Sequence, residues 1–503
     1  MTVTNIIEQI DSWSVKEPNR IAYIDEKEYT YGQLKRWSDQ LATFLAEKFA
    51  DRRPIVVYGD LEFEMLAAFL GASKAGHAYI PIEANTPNDR VELILNVAQP
   101  ALIISVEAWP DISSDCEVIT PNALAEIFAA KQTVAKFESV QNDENYYLIF
   151  TSGTTGVPKG VQISHNNLLS FVNWTLTDFV LPEQSRFLSQ APYSFDLSVF
   201  DVYPALCSGG SLVPLKKEII NDFKTLFATL PKLALEVWVS TPSFMDICLM
   251  EKEFNAKNIP SLTTFIFCGE ELTKKTAQSL LERFPAAHIY NTYGPTEATV
   301  AISGVEITPA LLEQVDRLPI GSVKEDTKVT IMDEMNVLAA GEVGEIVISG
   351  PSVSKGYLNN PEKTAQAFFL LDGNWAYRTG DAGSLPADGL LRYEGRIDFQ
   401  VKLHGYRIEL EDVDHHLNQV SLVKQATVVP KYQDHKVQQL VAFVVANEND
   451  FAKEFQLTKA IKAELAEGVM DYMIPQRFVY VEQLPRSANG KIDRKGLINE
   501  VNG

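Results

Sequence analysis

A chain of 503 residues exceeds what one hydrophobic core organises, so at least two domains are expected. Its composition, 46% hydrophobic and 22% charged, is that of an ordinary globular protein, and no apolar run reaches membrane-spanning length, so membrane insertion is not expected. A net charge of −22 opposes nucleic acid binding, which needs a basic face.

The opening segment "MTVTNIIEQIDSWSVKEPNR" has no basic stretch followed by an apolar one, so no secretion signal is expected. "RPIVVYG" reads as a buried strand, "LEFEMLAAFLGASKAG" as a helix and "AYIPI" as a strand. "RVELILNVAQ" then reads as a helix before the strand "ALIIS". That alternation is the rhythm of a mostly parallel sheet covered by helices. A second region of this kind runs from about Ser185 to Tyr290, with "EVWVST", "TTFIFCG" and "HIYNTYG" as strands. From about Leu318, short strands and turns predict a small antiparallel barrel or sheet. After "EGRIDFQVK" the order is mixed: a helix over "IELEDVDHHLNQV", strands over "KQATVVPKY" and "LVAFVVA", and a helix to Met470.

Charge divides the chain at the same place. From Asp398 onward 13 Lys and Arg meet 15 Asp and Glu, leaving 31 against 51 upstream. A nearly neutral module after a strongly acidic body predicts domains at 1–397 and 398–503. Cys116, Cys207, Cys248 and Cys268 are scattered without metal-ligand spacing, which predicts a reducing, cytoplasmic setting rather than disulfides or zinc.

The segment "YYLIFTSGTTGVPKGVQISH", Tyr146 to His165, carries the most chemistry. Hydroxyl side chains and glycine N–H groups in one tight loop make an anion cradle, because glycine lets the backbone approach oxygens closely. A Walker A loop requires Gly-Lys-Ser/Thr and a following helix. Here Pro158 precedes Lys159, Gly160 follows it, and a strand comes next, so that reading fails.

"TSGTTGVPKG" resembles the phosphate loop of the adenylate-forming superfamily: acyl-CoA synthetases, amino-acid adenylation domains of peptide synthetases and firefly-type luciferases. Further motifs carry the resemblance in the family's order over nearly the whole chain. They are "YTYGQL" (29–34), "SKAGHAYIPIE" (73–83), "YSFDLS" (193–198), "NTYGPTEAT" (291–299), "YRTGD" (377–381), "GRIDFQVKLHGYRIEL" (395–410) and "NGKIDR" (489–494). The resemblance implies an α/β fold. It has a large N-terminal domain of two α/β subdomains and a small β-barrel-like subdomain, followed by a small mobile α+β C-terminal domain.

The resemblance also implies roles. Thr151, Ser152, Thr155 and Lys159 would contact the β- and γ-phosphates of ATP. Asn291, Thr292, Tyr293, Gly294, Pro295 and Thr296 would hold adenine and the α-phosphate, with Tyr293 stacked on the base. Glu297 would hold Mg²⁺, a hard cation that favours carboxylate oxygen. Asp381 would accept the ribose hydroxyls, with Tyr393 and Arg396 nearby, and Asp398 would be the hinge of the C-terminal domain. Lys491, behind the turn signal Asn489-Gly490, would be the catalytic lysine that bridges carboxylate and phosphate.

The substrate class turns on Asp196. In amino-acid activators of this family the matching residue pairs with the substrate ammonium; read without the family, Asp196 is a helix N-cap before "LSVFDVYP". Leu197, Ile266, Cys268, Thr292 and Val300 match pocket-lining positions, and such side chains leave room for a small apolar amino acid, with Cys268 crowding one face of Cα. The chain stops twelve residues after Lys491 with no fused carrier, so a separate acceptor is expected. It is closely similar to freestanding activators that load D-alanine onto the phosphopantetheine thiol of a small carrier protein for lipoteichoic acid esterification. Activation of L-alanine, glycine or serine for peptide synthesis is the alternative. Docking of the carrier is expected on basic groups of the C-terminal module such as Lys402, Arg407, Arg486 and Arg494, with Arg494 and Lys495 left open between docking and plain solvation.

Overall fold

A computed structural model describes residues 2–131, 137–153, 156–433, 435–486 and 492–503. The chain divides into two compact units. The first comprises Met1–Ala84, Ala98–Ile149 and Gly160–Gly395; the second comprises Asn85–Val97, Phe150–Lys159 and Arg396–Gly503.

The first unit contains the two predicted α/β regions, except for most of the helix Asn88–Ala98, which groups with the second. In one sheet the strand Ile55–Gly59 pairs in parallel with Tyr79–Glu83 on one side and Leu102–Ser105 on the other. The sheet continues through Asn145–Thr151 to Lys159–Ser164, the strands that flank the phosphate loop. All five residues of Ile55–Gly59 and of Tyr79–Glu83 are buried, as continuous apolar runs in a covered parallel sheet should be. Ser164 closes this strand with a capping box: its hydroxyl accepts from Asn167 N, and Asn167 reaches back to Ser164 N, starting the helix His165–Asp178.

A second sheet places Arg186–Ser189, Val237–Ser240, Thr264–Phe267 and His288–Tyr293 side by side in parallel. Beyond them Ser303–Glu306 turns back antiparallel, with Tyr293 opposite Ser303. The helix Leu197–Ser208 is buried along nearly its whole length and ends at Gly209 in the left-handed conformation, φ 75°. From Lys328 the rhythm changes as expected. Lys328–Asp333, Gly344–Ser349 and Asn374–Ser384 form an antiparallel sheet, and the last of these strands carries Asp381.

In the second unit the hairpin Gln400–Leu403 and Tyr406–Glu409 precedes a short helix, Leu410–Leu417. The expected helix over "IELEDVDHHLNQV" therefore starts later and stops earlier, because Ile408 and Glu409 pair with Val401 and Gln400 in the hairpin. A sheet of Val423–Gln433, Lys436–Ala446 and Arg477–Tyr480 follows, backed by Glu454–Leu465. That helix ends short of Met470, whose buried side chain belongs to the unit's own hydrophobic cluster.

Candidate active site

The residues expected to meet base and ribose lie on buried strands. Tyr293 closes the strand His288–Tyr293, and its hydroxyl donates to Asp381 Oδ2 at 2.5 Å. Both are buried, at 5% and 2% exposure. Burial, then the neighbouring Asp381 charge, hold the Tyr293 phenol far above its ordinary pKa, so it stays a donor. Thr379 fixes the other side: its hydroxyl donates to Ile346 O at 2.7 Å and accepts from Asp381 N at 3.0 Å. The Tyr393 ring lies 6.3 Å from that of Tyr293, centroid to centroid. Asn291 and Thr292 use their side chains to brace the strand, donating to Pro319 O and Phe267 O at 2.8 Å each.

The turn that follows requires close packing. A Cβ on Gly294 would lie 2.5 Å from Ala301 Cα, so only glycine fits. Pro295 leads into a short helical turn, Thr296–Ala298. Glu297 is fully buried, and Tyr357 Oη donates to its Oε1 at 2.8 Å. A single carboxylate fixed in this way fits Mg²⁺, which takes few protein ligands and completes its shell with phosphate and water. Among the described residues no cluster of three or more His, Cys, Asp or Glu could hold a metal on its own. Tyr357 has no counterpart in the sequence reading, since it stands 60 residues from Glu297 in an unremarked loop.

Thr299 and Val300 both adopt positive φ, 59° and 68°, which is costly for β-branched side chains. Thr299 is held there by its hydroxyl, which donates to Ser352 O at 2.7 Å. The turn directs Val300 O toward Cys268, whose Sγ lies 3.7 Å away. Leu197, Cys268 and Val300 are buried and apolar, and Ile266 is fully buried on the adjoining strand. Asp196 stands at the N-cap of Leu197–Ser208 but makes no side-chain capping bond, so that structural role does not account for it. Its carboxyl is 7% exposed.

The other expected residues belong to the second unit. Thr151 Oγ1 is buried and finds no hydrogen-bond partner among the described residues, the condition of a hydroxyl that serves a ligand oxygen. The Ser152 hydroxyl donates to Arg407 O at 3.0 Å, and Lys159 Nζ lies 3.3 Å from Glu409 Oε1. Arg396 embraces Asp398 with two bonds, Nε to Oδ1 at 2.8 Å and Nη2 to Oδ2 at 2.5 Å. Burial raises the Asp398 carboxyl, but the Arg396 guanidinium and Gln400 N outweigh it and leave the pKa below the usual range. Thr155, Lys491 and the Asn489-Gly490 turn lie outside the described residues.

Plain solvation does not hold for Arg494, which is only 9% exposed. Its guanidinium bonds Glu411 Oε1 at 2.8 Å and also Asp414, while its face lies 5.0 Å from the Phe399 ring centroid. Arg494 opens the helix Arg494–Asn502, which turns its side chain into the unit; adjacent basic letters do not reveal that direction.

The chain matches the models for AMP-binding enzyme over residues 10–358 and AMP-binding enzyme C-terminal domain over residues 412–491. It is 56% identical to a D-alanine--D-alanyl carrier protein ligase of Lacticaseibacillus paracasei, over 99% of this chain and 100% of that one. It is 53% identical to the ligase of that name from Streptococcus agalactiae, over 94% of each chain. Among solved structures, the adenylation domain AlmE of Vibrio cholerae, in complex with glycyl-adenosine-5'-phosphate, superposes with a TM-score of 0.81 at 24% identity. That match covers 100% of this chain and 98% of the other. The fused adenylation and carrier protein NpsA-ThdA of Klebsiella oxytoca gives 0.83 at 22% identity, over 95% and 94%. The chain belongs to the AMP-binding enzyme family, in the branch that holds the D-alanine--D-alanyl carrier protein ligases.

Proposed function

We propose that this chain activates D-alanine with ATP and loads it onto the phosphopantetheine thiol of a D-alanyl carrier protein, for lipoteichoic acid D-alanylation. The observation that carries this reading is identity of 56% across the full length of a relative named D-alanine--D-alanyl carrier protein ligase.

In the first half-reaction a carboxylate oxygen of D-alanine attacks the α-phosphorus, and pyrophosphate leaves. Both reactants are anions, so the site must neutralise charge and align them. Thr151, Ser152, Thr155 and Lys159 hold the β- and γ-phosphates. Thr296 donates to the α-phosphate, Tyr293 stacks on the base, and Asp381 accepts from the ribose hydroxyls, with Tyr393 and Arg396 nearby. Lys491 bridges the carboxylate and the phosphate. Glu297, oriented by Tyr357, is the residue that would hold Mg²⁺, which supplies neutralisation of the phosphate oxygens.

Asp196 pairs with the substrate ammonium, and Leu197, Cys268, Thr292 and Val300 leave space for one methyl group. In the second half-reaction the C-terminal domain, residues 398–503, turns about Asp398. The thiol sulfur then attacks the acyl carbonyl, the thiol proton is lost and AMP departs. Pyrophosphate exchange with D-alanine, L-alanine, glycine and serine tests the reading. D-alanine should exceed each rival by at least about tenfold in kcat/KM, within what differential contacts in one small pocket supply. Preference for L-alanine would mark an activator for peptide synthesis instead.

A further inference from the structure

The phosphate loop is engaged at three points by the segment 407–415. The Ser152 hydroxyl donates to Arg407 O at 3.0 Å and accepts from Glu409 N at 3.3 Å. Lys159 Nζ lies 3.3 Å from Glu409 Oε1, and the two side chains are 12% and 7% exposed. Gly156, at φ 78°, faces the His415 ring so closely that an added Cβ would lie 2.8 Å from Cδ2. Gln400 Nε2 donates to the same Glu409 oxygen at 3.3 Å, which aims the carboxylate at the lysine. By its internal contacts the loop Phe150–Lys159 groups with residues 396–503 rather than with the strands that flank it.

We propose that Glu409 is the internal counter-ion of the phosphate loop, a positioning residue that holds Lys159 whenever no phosphate does. The inference rests on the reading that this loop takes ATP. A buried ammonium needs an anion beside it. The β- and γ-phosphates provide one during adenylation, and they must displace Glu409 to reach Lys159. Once pyrophosphate has left, Glu409 takes the lysine back, and Ser152 rejoins the hairpin that carries Arg407. One carboxylate thus opposes ATP binding and favours the arrangement that follows adenylation. The apparent affinity for ATP is lowered by the fraction of molecules in which the latch is closed.

Glu409→Gln keeps the shape of the side chain and removes its charge. Calorimetry with MgATP on the full chain should show about three- to tenfold tighter binding, the range expected of one partly buried ion pair. Single-turnover transfer from D-alanyl-AMP to the carrier should slow by a similar factor. Opposite signs in the two steps are the diagnostic result, since a merely weakened fold lowers both. Glu409→Asp retains the charge and should stay within about twofold of the parent in both measurements. Unchanged MgATP affinity in Glu409→Gln, or equal loss of both steps, would overturn the latch alone. Failure of the parent protein to bind MgATP would overturn the proposed function together with it.

Discussion

Two groups of candidate site residues, one in each compact unit, are held in opposite ways. Asp381, within the strand Asn374–Ser384, and Tyr293, at the end of a strand of another sheet, are buried, bonded to each other and braced by Thr379, so protein contacts alone hold them. Ser152 and Lys159 sit in a loop whose partners, Arg407 and Glu409, stand some 250 residues along the chain. Base and ribose are unchanged by the reaction, so a rigid receptor for them serves both half-reactions. The β- and γ-phosphates leave after the first, so a receptor for them must exchange one anion for another. Preorganisation suits the constant part of the substrate and competition suits the transient part.

The comparison can be broken at the rigid corner first. Asp381→Ala removes the ribose acceptor and leaves the Tyr293 hydroxyl without its partner. Pyrophosphate exchange should fall by at least about 100-fold, the scale of a lost charge-assisted contact in a dry site. A loss below tenfold would show that the corner is not preorganised. A second probe addresses the frame that supports the mobile partners. Arg494→Ala leaves Glu411 and Asp414 without their buried cation, and urea unfolding should show destabilisation of about 3 kcal/mol. Carrier loading measured on the molecules that remain folded should change little; a selective loss of loading would mark Arg494 as a docking group.

The smallest effect sharpens the picture of the acidic body. Burial, opposed by a bond from Asp60 N and reinforced by the neighbouring Glu107, raises Glu62 to about 7; burial and Glu83 raise Asp60 to about 6. A carboxyl whose pKa is raised by folding stabilises the protein below its unfolded value, and that contribution is lost as pH rises through the folded one. Glu62→Gln removes a charge that the fold tolerates poorly. Its melting temperature relative to the parent should therefore rise between about pH 5 and about pH 8. A flat difference across that window would place Glu62 in a better solvated setting.

Periodicity and composition were enough to read the α/β alternation and the antiparallel change after Leu318. Each of these is a local pattern repeated over many residues. The family was legible for a related reason, since motifs such as "TSGTTGVPKG" and "NTYGPTEAT" confine their signal to a few adjacent letters. Helix ends were less legible: Ile408 and Glu409 look helical in isolation but are claimed by hairpin pairing. The direction of a single side chain was least legible of all. Arg494 reads as one more basic surface residue, yet the helix it opens turns it onto two carboxylates.

Sequence alone pointed to the family, because its motifs are compact and ordered, and proposed which chemical groups would meet ATP and a small amino acid. Only the tertiary structure revealed what holds them. Tyr357 beneath Glu297 and Glu409 beside Lys159 are separated from their partners by 60 and 250 residues. No periodic or motif signal spans such a gap. Hydrogen bonds and ion pairs act over a few ångströms of space, and the folded chain decides which distant residues share that space.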